Sequence, residues 1–516
     1  MVTRELSRHE TSIMKGIAIL CIALHNFLHY LPPFTGENEF IFCPEYIWNF
    51  LNLLTSQPFD LINTLFSFLG HYGVQTFILL SGYGLAKSMQ THRQEWLPFM
   101  ASRMKKLVPL LLIGIALFIA YTYIWGHRNL YMTEASSLFY KSLLIHTILP
   151  NEGLSLIGPW WFFGLIFQLY ILFPFLFSSI EKHGIKALVL ISSMSISLIY
   201  IEQYGLTSTE YITIMQNAPA HLSEFSLGIW FALNNGAKVP KATLPLSIAI
   251  FILGNFFKPF FPFTFISISI IILWAAMSTN IGNNKLKPLS FIGSISMLMF
   301  VTNGFLRQPF LDMADSHKTL SVYMATLLFL ATIVAISFVT KYPYDWLTKA
   351  FGKILNKIRS IKPVSENIKT ISLSLKLALC AVAAYFTIFY LTLSESTFDK
   401  QSLSMEQTEL TINENNDYTP LIKYQTLDNN YIKLDVDINF DILENDGQKP
   451  VIVFEIGNFF WNKAEINGTD KISVHKKLVI SHSTKGQTLK IYMWNNCGGM
   501  LEISNLDINI VGTKSL

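Results

Sequence analysis

Apolar residues run unbroken through much of this chain in stretches long enough to cross a bilayer as helices, which takes about 17–25 residues. Such stretches occupy 13–31, 67–88, 107–125, 160–180, 187–203, 217–234, 243–257, 263–279, 289–307, 320–340 and 371–393. Ten of them are clustered, and the last is set apart by a basic segment, 346–370. Lys258-Pro-Phe-Phe-Pro262 divides the seventh from the eighth, and both are short. Two connecting segments, 32–62 and 126–158, are longer than simple turns. Past residue 400 the period changes. Tyr431-Ile-Lys-Leu-Asp-Val-Asp-Ile-Asn-Phe-Asp-Ile442 alternates apolar and polar residues, the pattern of a half-buried strand. Val451–Ile456, Leu489–Trp494 and Leu506–Val511 repeat it, separated by turn sequences such as Glu444-Asn-Asp-Gly447 and Ile466-Asn-Gly468. The pattern predicts an all-α polytopic membrane bundle, 1–345, with a basic linker, 346–370, and an additional span, 371–393. A small all-β sandwich, 400–516, follows and is large enough to bury its own core.

Composition agrees with a bilayer. Only 14% of the residues are charged, against about 25% in soluble domains. The charge is unevenly placed: from Glu395 onward there are 17 acidic residues and 11 lysines, so the preceding part carries the excess of cations. With the N-terminus in the cytoplasm, one set of alternate loops collects 21 Lys and Arg and the other about five, namely Arg128, Lys141, Lys258, Arg307 and Lys318. That asymmetry predicts a cytoplasmic N-terminus and, after the last span, an extracytoplasmic β-domain. The first apolar run lacks a small-residue cleavage site and reads as a retained span. Cys21, Cys43, Cys380 and Cys497 have no metal-binding spacing and no disulfide framework, so no metal is expected.

Chemistry-bearing residues stand out against this apolar background. His25 interrupts the first span beyond its midpoint, on the external side, where an ionisable group costs free energy. A neutral imidazole there can act as a general base or as a nucleophile, or it can simply bond to a neighbouring helix. His29 lies one turn further on. Arg103 and Lys106, three residues apart at the cytoplasmic entrance of the third span, share a helix face suited to phosphates or to membrane anchoring. Gly73, Ser81, Gly82 and Gly84 permit close helix approach or an open passage. Gln168 and Tyr170 in the fourth span need polar partners, and Glu224 is an acid at the external end of the sixth. Asn303 and Arg307, four apart, are placed to make a polar contact inside the bundle.

In order along the chain these residues resemble the acyltransferase-3 family of polytopic bacterial membrane proteins. Lys15, Gly16 and His25 are similar to its opening motif, and Gly73-Val74 with Ser81-Gly82 to its second span. Arg103, Lys106 and Pro109 resemble its Arg-x-x-Arg-x-x-Pro motif; Trp161-Phe162, Tyr170 and Pro174 resemble its fourth span, and Gly293-Ser-Ile-Ser296 its ninth. The resemblance covers about residues 10–345. Three departures stand out: Lys106 replaces an arginine and loses bidentate geometry, Ile166 stands where many members carry an acid, and Asn303 where many carry a histidine.

The resemblance implies an O-acyltransferase of the bacterial cytoplasmic membrane. It would move an acyl group, usually acetyl, from cytoplasmic acyl-coenzyme A to an extracytoplasmic polysaccharide or lipid-linked glycan. It implies His25 as the catalytic residue and Arg103, Lys106, Ser81 and Gly82 on the donor side. Glu224, Tyr170, Asn303 and Arg307 fall on the acceptor side or in support. Acyl-coenzyme A would be a co-substrate, with no tightly bound cofactor, and membrane lipids rather than nucleic acid would surround the chain. In the β-domain Trp461, Tyr492 and Trp494 are candidates for stacking on sugar rings, although core packing explains each of them as well. The principal alternative is a transporter or flippase in which His25, Glu224 and Arg307 line a substrate or proton path; a noncatalytic scaffold presenting the β-domain is a second.

Overall fold

The computed structural model describes residues 3–360, apart from 32–35, 126, 128–129, 131, 150–151, 205–212, 280, 283 and 315–317, together with the strands between 394 and 514. Helix α1 (Arg8–Leu28) starts at Ser7, whose side chain accepts from the Glu10 amide while the Glu10 carboxylate accepts from the Ser7 amide. This reciprocal cap satisfies two amides that a helix N-terminus leaves orphaned. Arg4 adds a two-pronged contact to the same carboxylate at 2.6 and 3.1 Å. The chain then forms α2 (Pro44–Ser56), α3 (Leu61–Leu69) and α4 (Gly73–Thr91), followed by α5 (Trp96–Ile124), α6 (Met132–Ser142), α7 (Trp161–His183) and α8 (Ile185–Gln203). After these come α9 (Leu222–Leu233), α10 (Thr243–Phe256), α11 (Thr264–Ser278), α12 (Lys287–Asn303), α13 (Gln308–Met313) and α14 (Thr319–Ser360).

Each of the ten clustered apolar stretches becomes a helix, and six helical segments among the described residues are long and apolar enough to cross a membrane. Leu190, Leu327 and Val339 are about two-thirds exposed on such helices, as lipid-facing side chains would be. The extra stretch 371–393 lies outside the described residues. The long segments 32–62 and 126–158, expected to be more than connectors, carry α2 and α6. Two boundaries differ from expectation. The stretch 67–88 is divided, with α3 ending at Leu69 and a single tight turn, Gly70–Tyr72, leading into α4. Helix α14 runs through Pro343 to Ser360, into the segment expected to be a linker, because its Lys, Leu and Ala residues favour helix.

Backbones approach closely at paired glycines. A Cβ on Gly16 would strike the Leu289 carbonyl, and one on Gly293 the Ser12 carbonyl, which locks α1 against α12. Gly82 meets Phe225 and Gly228 meets Leu79 in the same way between α4 and α9. In a bilayer, where lipid is as apolar as Leu, such close packing supplies much of the helix association.

The C-terminal part forms β1 (Ser394–Thr397), β2 (Leu410–Ile412), β3 (Tyr418–Thr426), β4 (Tyr431–Asn445), β5 (Val451–Ile456), β6 (Phe460–Glu465), β7 (Lys471–Val479), β8 (Thr488–Trp494) and β9 (Leu501–Lys514). One antiparallel sheet runs β1-β9-β4-β7 with β2 also on β9; the other runs β3-β8-β5-β6. Leu434, Val436 and Ile438 of β4 share one core with Ile452 and Phe454 of β5 and with Ile491 and Met493 of β8. This is the small sandwich that the alternation predicts, extended upstream by β1, which lies before residue 400. Tyr492 and Trp494 alternate with the buried Ile491 and Met493, so they stand on the face away from the core and are half-buried there. The side chain of Trp461 lies outside the described ones.

Candidate active site

The break between α3 and α4 builds the centre of the site. A helix leaves its last carbonyls without intrahelical partners. One of these, Ser67 of α3, receives the Nδ1–H of His25 at 2.8 Å. A carbonyl can only accept, so this bond fixes the tautomer and leaves the Nε2 lone pair of His25 free. The fit requires glycine at the turn: a Cβ on Gly70 would lie 2.5 Å from the Cys21 carbonyl and 2.8 Å from the Cβ of His25.

Around Nε2 the structure gathers groups from three elements. Glu37, in the segment before α2, places Oε1 at 3.8 Å from His25 Nε2 and 3.4 Å from His29 Nδ1. The rings of His25 and His29 are 4.7 Å apart, and His71 packs edge-on against His25 at 5.5 Å. His25 and His71 are buried, whereas a quarter of the His29 side chain is exposed. Glu37 is held in place by its neighbour Asn38, which is fully buried, accepts from the Cys43 amide at 2.8 Å and donates to the Asn255 carbonyl at 3.3 Å. The histidines around it hold the Glu37 carboxyl down to about 2 against the upward push of burial.

Asn303 and Arg307 brace this end of α1. Asn26 Nδ2 donates to Asn303 Oδ1 at 2.8 Å, and Arg307 Nη1 donates to the Asn26 carbonyl at 3.1 Å. The Arg307 guanidinium also lies over the Tyr30 ring, 3.8 Å from its centre. The two residues therefore meet through Asn26, with Asn303 closing α12 and Arg307 in the turn beyond it.

A second cluster sits toward the N-terminal end of α1. Lys15 is within electrostatic reach of Lys106, and Lys106 of Arg103 and Lys105. Arg103 bonds Ser102 Oγ at 3.0 Å, lies over the Phe99 ring and interacts with the Tyr170 phenol. Among the described residues no carboxylate is ion-paired with Lys15, Arg103 or Lys106. Unneutralised like charges brought together cost free energy unless an anion joins them. Ten residues of α1 separate Lys15 from His25, a distance of about 15 Å along the axis.

Other expected residues fall elsewhere. Glu224 is fully buried, accepting from Ser223 Oγ at 2.7 Å and lying 2.7 Å from His221 Nδ1. His221 Nε2 donates to the Met215 carbonyl at 2.9 Å, so one further proton is shared between His221 and Glu224. Among the described residues no hydrogen bond or ring contact joins this pair to His25. Gln168 finds partners in Thr147, Asn217 and the Ala218 amide. Gly82 lies in the α4–α9 crossing, Ser81 beside it is half-buried, and Gly84 faces open space.

Glu37, His71 and the Ser67 carbonyl were not singled out by sequence reasoning. The unusual length of segment 32–62 was the available signal for Glu37; His71 lies in the apolar stretch 67–88 but on no predictable face, because the turn at 70–72 resets the helix phase.

The sequence pattern of the acyltransferase domain that defines the acyltransferase-3 family matches residues 9–341. The chain belongs to the acyltransferase-3 family. This acyltransferase is thus a multi-pass membrane protein whose matched region contains every candidate site residue of the bundle, while the β-domain lies beyond it. Membership selects group transfer over the transporter and scaffold readings. No curated protein and no solved structure matches the chain.

Proposed function

We propose that this acyltransferase moves an acyl group, usually acetyl, from cytoplasmic acyl-coenzyme A to a hydroxyl of an extracytoplasmic envelope glycan, in the bacterial cytoplasmic membrane. The observation that carries the reading is the Ser67 carbonyl on His25 Nδ1, which leaves a lone pair on Nε2 inside the bundle. The donor's phosphates sit among Lys15, Arg103 and Lys106, and the pantetheine arm runs along α1 to bring the thioester to His25. Tyr170 supports Arg103, and half-buried Ser81 borders the donor side.

In the step itself, Nε2 takes the hydroxyl proton as the acceptor oxygen attacks the thioester carbonyl. The carbon–sulfur bond breaks, the ester forms, and the coenzyme A thiolate recovers the proton from the imidazolium. Glu37, close to Nε2, favours the imidazolium that forms in transit, which supports the general-base route over an acyl-histidine. Asn303 and Arg307 position His25 through Asn26. Glu224, paired with His221, stabilises the bundle on the acceptor side. An extracytoplasmic β-domain would present Tyr492 and Trp494 to the glycan, and its excess of acidic residues favours a neutral or cationic one.

The test is transfer from labelled acetyl-coenzyme A to envelope polysaccharide in membranes holding wild type or His25→Ala at matched expression. Label that reaches glycan with the wild type and is lost with His25→Ala is the expected result. Equal labelling by both would remove His25 from the mechanism, and no labelling with any acyl-coenzyme A would refute the donor assignment.

A further inference from the structure

The groups around His25 have a second chemistry. His25 and His29 are four residues apart on one helix face, a spacing that lets two imidazoles share an ion. Glu37 closes the set from another segment, and one ligand atom from each of the three residues lies within 4.8 Å of the other two. Two of the three separations are 3.4 and 3.8 Å. Ligand atoms about 2.0–2.1 Å from a tetrahedral Zn2+ are about 3.3 Å apart, so small ring rotations complete the set. The outer shell is already built: metal-bound histidines usually donate their other nitrogen to a carbonyl, as His25 does to Ser67. Buried His71 stands in ring contact with His25 beside this set.

We infer that His25, His29 and Glu37 form a Zn2+ site of two nitrogens and one oxygen, with a fourth position open to water or His71, and that occupancy blocks acyl transfer. The block follows from electron-pair accounting. Nε2 of His25 has one lone pair, and a metal that takes it leaves none for a hydroxyl proton. The Zn2+ site stands on geometry alone; the inhibition rests on the reading of His25 as the base. It also departs from the sequence-based expectation of no metal, which considered cysteine spacing and could not see Glu37 reach the histidines.

The experiment uses the full chain, purified in detergent and stripped with a chelator, titrated first with Co2+ and then with Zn2+. The expected result is the visible absorption of four-coordinate Co2+ at one equivalent, its displacement by Zn2+, and a loss of affinity of at least about tenfold in His29→Asn and in Glu37→Gln. Both variants are first checked for wild-type elution on gel filtration, and either one that passes suffices. In parallel, Zn2+ should slow wild-type acyl transfer at least about tenfold, reversibly by chelator, and slow each variant less relative to its own metal-free rate. Absence of the Co2+ spectrum, or unchanged affinity in a folded variant, overturns the site. One-equivalent binding without inhibition keeps the site, overturns the block, and counts against Nε2 as the reactive atom. Inhibition without binding at this set places the Zn2+ effect elsewhere and overturns the inference.

Discussion

Gly70→Ala is the sharpest probe of how His25 is held. The added Cβ would sit 2.5 Å from the Cys21 carbonyl and 2.8 Å from the Cβ of His25. Carbon and a carbonyl oxygen rest at about 3.3 Å, so α1 and the turn at Gly70 must part by about 0.8 Å. The yielding atoms are helix backbone, which cannot move aside as a flexible side chain does. That shift acts at the bond between His25 Nδ1 and the Ser67 carbonyl, and a misplacement of about 1 Å can lower a rate about 100-fold. A loss of about 10- to 100-fold in turnover is expected, about 1.4–2.7 kcal/mol of barrier. The assay is transfer from labelled acetyl-coenzyme A in membranes with matched protein levels, with thermal stability followed in detergent. Gly84→Ala is the control: nothing lies within 4 Å of its added Cβ, and alanine favours helix by up to about 1 kcal/mol. If Gly70→Ala works as fast as Gly84→Ala, close backbone approach does not position the histidine.

Three further outcomes follow from other contacts. Arg103→Ala should raise the KM for acyl-coenzyme A about tenfold, with a smaller change in kcat, measured by initial rates against donor concentration. Asn303→Leu removes the acceptor for Asn26 Nδ2, and the half-buried orphan should cost about 1 kcal/mol, read as a lower Tm together with a slower turnover. Lys141 in α6 is fully buried, and burial pushes its ammonium down to about 7 against the pull of Glu152. The unfolded chain, with an ordinary lysine, binds the extra proton between about pH 7 and 10, so stability should rise across that window by up to about 1.4 kcal/mol per pH unit. Thermal melts at pH 7 and pH 9 should show this rise, and Lys141→Met should flatten it.

Much of the architecture was legible because its signals are periodic. Runs of apolar residues gave the bundle helices, and strict alternation in Tyr431–Ile442 gave the longest strand of the sandwich. Boundaries that depend on a single turn were not. The stretch 67–88 reads as one apolar helix, yet the turn at Gly70–Tyr72 divides it and leaves the Ser67 carbonyl near a helix end, where His25 bonds it. Of the candidate site, His25, Arg103, Lys106, Asn303 and Arg307 were visible as polar residues where polarity is costly. Glu37 and His71 were not, since a loop carboxylate and a histidine at a helix break acquire meaning only when tertiary structure brings them beside His25. Glu224 was visible for the same reason as His25, and its partner His221 shows that a costly buried acid can be met by an adjacent base.

Helix α1 also acts as a ruler. Lys15 and the lone pair of His25 belong to one rigid element, so the gap between them is fixed at about 15 Å. Under the proposed donor assignment, a donor gripped by its phosphates at Lys15 can deliver its acyl group to His25 only across a spacer of that length. Acetyl phosphate, whose acyl group is joined directly to its phosphate, is too short. Discrimination against small activated acetyl compounds would then come from length, with no group needed to repel them.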